Sequence, residues 1–117
     1  MWTLSSNLRI YLHTRPTDMR KGFDGLSGLV RTVFGADPAD GSLFLFVNRR
    51  GDRIKMLWWD RDGLALFYKR LEAGTFETLP AEEGTDVAEI DATQLAMLLG
   101  GVTLASAKRR RRYARAG

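Results

Sequence analysis

Arg49, Arg50, Arg53, Lys55, Lys69 and Arg70 fall within twenty-two residues that also hold Trp58 and Trp59. Cations meet phosphate oxygens by charge, and indole rings stack on bases. This combination on a sheet surface is one physical design for nucleic acid. Arg20 and Lys21 add two cations upstream, and Lys108, Arg109, Arg110, Arg111 and Arg112 form an unbroken basic run near the C-terminus, followed by Arg115. Such a run gains affinity for a polyanion by releasing condensed counterions but reads little sequence.

Other chemistries find less support. The chain has no cysteine and one histidine, His13, so it offers neither a thiolate nucleophile nor a cysteine or paired-histidine metal site. Asp18, Asp24, Asp60 and Asp62 could in principle serve a magnesium-dependent nuclease. Three of the four have a simpler local reading: Asp18 as a helix cap, Asp24 on a polar helix face, Asp62-Gly63 as a turn. No phosphate-binding GxxxxGK[ST] loop, GxSxG elbow or HExxH zinc motif occurs, and Arg50-Gly51-Asp52 is read as a turn. The expectation is a protein that is not an enzyme and uses no cofactor or metal.

The net charge of +4 is unevenly distributed. The six cations from position 108 onward outweigh a body of 12 basic and 14 acidic residues, which sums to −2. Within that body, residues 49–70 hold seven Lys or Arg against three Asp, while residues 72–91 hold seven acids and no base. Segregated charge speaks to partners, not to fold. No apolar run approaches the roughly 20 residues of a membrane span, and the N-terminus lacks a secretory pattern. A cytoplasmic location with no membrane partner is expected.

Positioning these residues requires elements of regular structure. Leu8, Ile10 and Leu12 alternate with polar neighbours, as in a half-buried strand that stops at Arg15-Pro16. Met19, Phe23, Leu26, Val30, Val33 and Phe34 mark one helical stripe, which predicts a helix from about Met19 to Phe34 capped by Thr17 or Asp18. Three glycines inside it, Gly22, Gly25 and Gly28, suggest close approach of a neighbour, because glycine has no Cβ. LFLFVN, IKMLWWD and LALFYKRLE, separated by RRGDR and RDG, predict a three-stranded antiparallel meander with positive φ at Gly51 and Gly63.

After Gly74 an acidic loop leads to a short extended piece at 87–90. A last helix follows, capped by Asp91 or Thr93 and ended by Gly100-Gly101. The expected fold is therefore α+β: an antiparallel sheet built on the meander, with two helices packed on one face. One domain is expected over residues 1–107, followed by a disordered basic tail at 108–117. Alternation places one of Trp58 and Trp59 away from the core.

TDMRKGFDGL at 17–26, GDRIKMLWWDRDGLALFYKRLE at 51–72 and QLAMLLGG at 94–101 resemble the TnpB accessory family of bacterial insertion sequence family sixty-six. The resemblance runs from about Ile10 to Gly101. It implies a non-catalytic protein that acts beside a separate DDE-type transposase and a companion accessory protein of the same element, and it transfers no catalytic residue. The arginine-rich tail lies outside the shared pattern. Two functions follow as expectations: a DNA-contacting accessory subunit using the cations above and Trp59, or a protein-protein adaptor whose acidic 72–91 stretch meets a basic partner.

Overall fold

The computed structural model describes residues 7–100. Seven elements follow in order: β1 (Ile10–His13), α1 (Phe23–Thr32), β2 (Leu43–Val47), β3 (Arg53–Asp60), β4 (Gly63–Arg70), β5 (Val87–Ile90) and α2 (Ala92–Gly100). They form one five-stranded sheet in the order β4-β3-β2-β1-β5. The α+β class and the β2-β3-β4 meander match expectation.

The sheet is mixed, not antiparallel. β1 and β2 run parallel, with Ile10 opposite Leu43 and Leu12 opposite Leu45, while the other three pairings are antiparallel. Parallel neighbours need a crossover, and α1 supplies it. Hydrophobic patterning cannot separate the two arrangements, because each strand looks the same in either.

The helices also lie on opposite faces. Leu26 and Val30 of α1 pack with Phe44, Phe46 and Leu57, whereas Leu95 and Leu98 of α2 pack with Ile10, Leu12, Leu43, Leu45 and Met56. Because strand side chains alternate, these two sets project from opposite sides of the sheet. All five residues of β2 are buried, as a central strand covered on both faces requires. The continuous apolar run LFLFV was the sequence signal for a sheet covered on both sides.

Helix α1 is shorter than its apolar stripe. Gly22 occupies its N-cap and no side chain caps it. Thr17 and Asp18 are spent elsewhere: the Thr17 hydroxyl lies 3.2 Å from His13 Nδ1, and the Thr17 amide donates to the Val47 carbonyl at 2.8 Å. Residues 17–21 therefore form a loop tied to the ends of β1 and β2. Of the three helix glycines only Gly25 has a close neighbour, since a Cβ there would meet Lys21 Cβ at 3.1 Å.

At α2 the expected cap is present in reciprocal form. The Gln94 amide donates to Asp91 Oδ1 at 2.7 Å, and the Asp91 amide donates to Gln94 Oε1 at 2.9 Å. One free amide of the first turn, that of Gln94, and the amide of the capping Asp91 are thus satisfied by two side chains. Gly51 has the expected positive φ of 78°. At the other hairpin the positive φ falls on Arg61, at 56°, and Gly63 is the first residue of β4. The Trp59 indole N–H donates to the Arg61 carbonyl at 3.1 Å and braces that turn. The basic tail and Gly101 lie outside the described residues, and no helix among the described residues is long and apolar enough to cross a membrane.

Candidate functional site

The turn between β2 and β3 is built by its own side chains. Asn48 Oδ1 accepts from the Arg53 amide at 3.0 Å, and Asn48 Nδ2 donates to Asp52 Oδ1 at 2.8 Å. This second bond holds the Asp52 carboxyl below its usual range. The Gly51 amide donates to the Asn48 carbonyl, and the Gly51 carbonyl accepts from Phe76 at 2.7 Å. A turn fixed at so many points can present Arg49 and Arg50, both exposed, in a defined direction.

Facing this turn is the loop that precedes α1. Together they enclose a cleft of about 450 Å³ lined by Pro16, Thr17, Asp18, Met19, Asn48, Arg49, Arg50 and Arg53. A second groove of about 300 Å³ is lined by Arg53, Tyr68 and Arg70, so Arg53 borders both. Its Nη1 donates to the Tyr68 hydroxyl at 3.1 Å. Arg53 and Arg70 are also cross-strand partners. Two like charges directly opposite on adjacent strands are unfavourable unless an anion or a carboxylate compensates them.

The nearby carboxylates are largely committed. Asp18 is gripped by Arg20, whose Nη2 donates to Oδ2 at 2.7 Å and whose backbone amide donates to Oδ1 at 2.9 Å. These bonds hold the Asp18 carboxyl at about 2. Asp52 accepts from the neutral Asn48 amide and keeps its charge beside Arg50 and Arg53, and Glu72 reaches Arg70 only at 3.8 Å, with both side chains mostly exposed, so two carboxylates face four guanidiniums. Arg49, Arg50, Arg53 and Arg70 therefore leave a local excess of positive charge beside two concavities.

The structure separates the remaining sequence candidates. Lys55 is buried at 6% exposure, and its ammonium donates to the carbonyls of Met19 at 2.7 Å and Lys21 at 2.8 Å. It also lies 4.6 Å from the centre of the Tyr68 ring. Lys55 is thus a clamp on the 17–21 loop and cannot serve as a surface cation. Lys69 pairs with Ile54 and projects from the face opposite Arg53 and Arg70. Arg20 is exposed but folded onto Asp18, and Lys21 is exposed with its stem against Gly25.

Trp59 is 38% exposed, while Trp58 packs partly buried against the α2-side core. Trp59 shares a face with Arg53, but the six intervening steps of strand place it roughly 20 Å from the cleft. Lys108 through Arg112 lie outside the described residues. Sequence reasoning missed the contribution of Tyr68, Asn48 and the 16–19 segment to the concavities. The period-two spacing of Tyr68 and Arg70 was a usable signal for Tyr68, whereas nothing local announces that residues 16–19 face residues 48–53. Among the described residues, no group of three or more acidic or histidine side chains could hold a metal ion.

Fold and site define a small α+β protein whose surface chemistry is concentrated in an arginine-lined cleft beside a hairpin. The chain belongs to the IS66 Orf2-like protein family of insertion-sequence accessory proteins, whose model matches residues 8–109. Two relatives come from Sinorhizobium fredii (strain NBRC 101917 / NGR234). Uncharacterized protein y4hO is 43% identical over 96 residues, covering 82% of this chain and 82% of the relative. Uncharacterized protein y4jC is 35% identical over 106 residues, covering 91% of this chain and 89% of the relative. No solved structure matches the chain.

Proposed function

We propose that the protein is a non-catalytic accessory subunit of transposition that holds DNA by its phosphates, with Arg49, Arg50 and Arg53 in the cleft and Arg70 in the adjoining groove. The observation that carries this reading is the convergence of three arginines on a concavity where Asp18 is ion-paired with Arg20 and the single charge of Asp52 does not balance them. Guanidinium groups suit this task because their planar donors match phosphate oxygens in pairs. Backbone contacts of this kind position a protein on DNA without reading sequence. Trp59 stands apart as a stacking platform for an unpaired base, and Lys108 through Arg112 add counterion-releasing charge.

Binding of short duplex and single-stranded DNA over a range of salt concentrations tests the proposal. The logarithm of the binding constant should fall linearly with the logarithm of salt, and removing Arg49, Arg50 and Arg53 together should lower the slope by about 2 to 3. Binding to neither form at low salt, by protein shown to be folded, would remove the proposal. A second reading is favoured by the acidic residues 72–91, of which Glu72, Glu82, Glu83, Asp86, Glu89 and Asp91 are exposed. In that reading the chain is an adaptor that docks this acidic surface on a basic face of the DDE-type transposase or the companion accessory protein. Co-purification with those proteins in the presence of nuclease separates the two functions.

A further inference from the structure

The free edge of the sheet carries information that the cleft does not use. β4 is the outermost strand and spans eight residues, with Phe67 38% and Tyr68 47% exposed. The Leu71 amide donates to the Asp52 carbonyl, so residue 71 points its main chain toward β3. Because antiparallel ladders alternate, Leu64, Leu66, Tyr68 and Arg70 direct their amides and carbonyls outward. Among the described residues no main-chain group of another segment bonds to these four. The opposite edge differs: β5 has four residues, and its Val87 carbonyl already accepts from Glu82 and from the Thr85 hydroxyl.

An exposed eight-residue edge is a template for strand addition. The charge order along β4 selects the partner. Asp60 and Asp62 flank Arg61 at its hairpin end, for a net −1, Leu64 to Phe67 form an apolar centre, and Lys69 and Arg70 close it, followed by Glu72, for a net +1. A parallel copy would stack cation on cation. An antiparallel copy brings each acidic end to the other's basic end.

We propose that two copies of this chain pair through β4, antiparallel about a two-fold axis at Leu66, to form a continuous ten-stranded sheet. Outward-facing residues must oppose one another in such a ladder, which restricts the register to pairs of equal parity. With the axis at Leu66, Asp62 lies opposite Arg70, Leu64 opposite Tyr68, and Ala65 opposite Phe67. Each pair occurs twice by symmetry. Cross-strand pairs of opposite charge and of aromatic with aliphatic residues are the favourable kinds. Arg70 is open to this contact, since its Glu72 partner is 3.8 Å away and both side chains are mostly exposed; in the dimer Asp62 takes the place of a phosphate at Arg70 and leaves Arg49, Arg50 and Arg53 to DNA. The two Arg53–Arg70 grooves then open on one face of the joined sheet, roughly 27 Å apart along the strands.

The dimer is measurable without nucleic acid, so it stands or falls separately from DNA binding. Light scattering on the full chain should give twice 13.2 kDa, dissociating on dilution. The chain has no cysteine, which makes Leu66→Cys a direct probe of the axis. Hydrogen-bonded antiparallel partners have Cα atoms about 5.5 Å apart, within disulfide reach, so mild oxidation should link two copies at this position. Asp62→Arg and Arg70→Asp, each confirmed as folded by circular dichroism, should each raise the dimer dissociation constant by about tenfold or more. The double variant should recover. A chain that stays monomeric at high concentration overturns the proposal, as does cross-linking by Phe67→Cys but not by Leu66→Cys, or charge reversals without effect.

Discussion

The Lys55 ammonium lies 2.7 Å from the Met19 carbonyl and bridges to the Lys21 carbonyl, so a strand cation fixes the loop that forms one wall of the cleft. Lys55→Met keeps the length of the stem and removes the charge. Two carbonyls would then lose a charge-assisted donor, with a loss of about 2 kcal/mol in urea unfolding. DNA binding by the folded variant should weaken through a loosened cleft while the salt slope stays unchanged. A slope reduced by about 1 would mean that Lys55 reaches phosphate.

Asp18 holds Arg20 in an ion pair at the surface. Its carboxyl is held at about 2 by the Arg20 guanidinium and amide, against an ordinary value of 3.8. A carboxyl lowered on folding contributes stability that is present above the unfolded value and is lost as pH falls from about 4 through about 2. A carboxyl-carbon titration by NMR should show that midpoint. Asp18→Asn frees Arg20 beside the cleft, and the salt slope for DNA should rise by about 1.

Gly51 holds φ at 78°, and a Cβ there would meet Thr75 Cβ at 3.3 Å. Gly51→Ala should cost about 1 to 2 kcal/mol from backbone strain, before any movement of Thr75. Thermal unfolding should read this as a lowered midpoint, and DNA affinity should fall because Arg49 and Arg50 ride on the same turn.

His13 is buried on β1, packed edge-on against Phe34 and Phe46, with Nδ1 at the Thr17 hydroxyl. Burial lowers its pKa from 6.5, with Asp86 opposing the shift and Arg15 adding to it. A base lowered on folding resists protonation in the native state, so stability is complete above the unfolded value and declines as pH falls below about 6.5. Urea unfolding between pH 8 and 5 should show that decline, and His13→Gln should flatten it.

Local order was legible where a short pattern has one physical solution. The Asp91 cap, the positive φ at Gly51, the hairpin run from β2 to β4 and the exposure of one of the two adjacent tryptophans all follow from neighbours within a few residues, whereas only the fold shows that the exposed one is Trp59. Helix α1 was over-extended at its N-terminus because Met19 continues the apolar stripe. In the fold Met19 packs from a loop that Lys55, Thr17 and Val47 hold in place. Lys55 looked like a surface cation because a strand pattern gives only its face, and that face is covered by a segment thirty-odd residues earlier.

Composition and periodicity by themselves determined that this chain folds as α+β around a meander and carries cations at residues 49–53. Only the tertiary structure decided that β1 runs parallel to β2, that the helices take opposite faces, and that the 16–19 segment meets the Asn48–Arg53 turn to make a cleft. The physical reason is range. Caps, turns and alternation are set by neighbours along the chain, whereas strand order and the fate of each charge depend on which distant backbone arrives beside it.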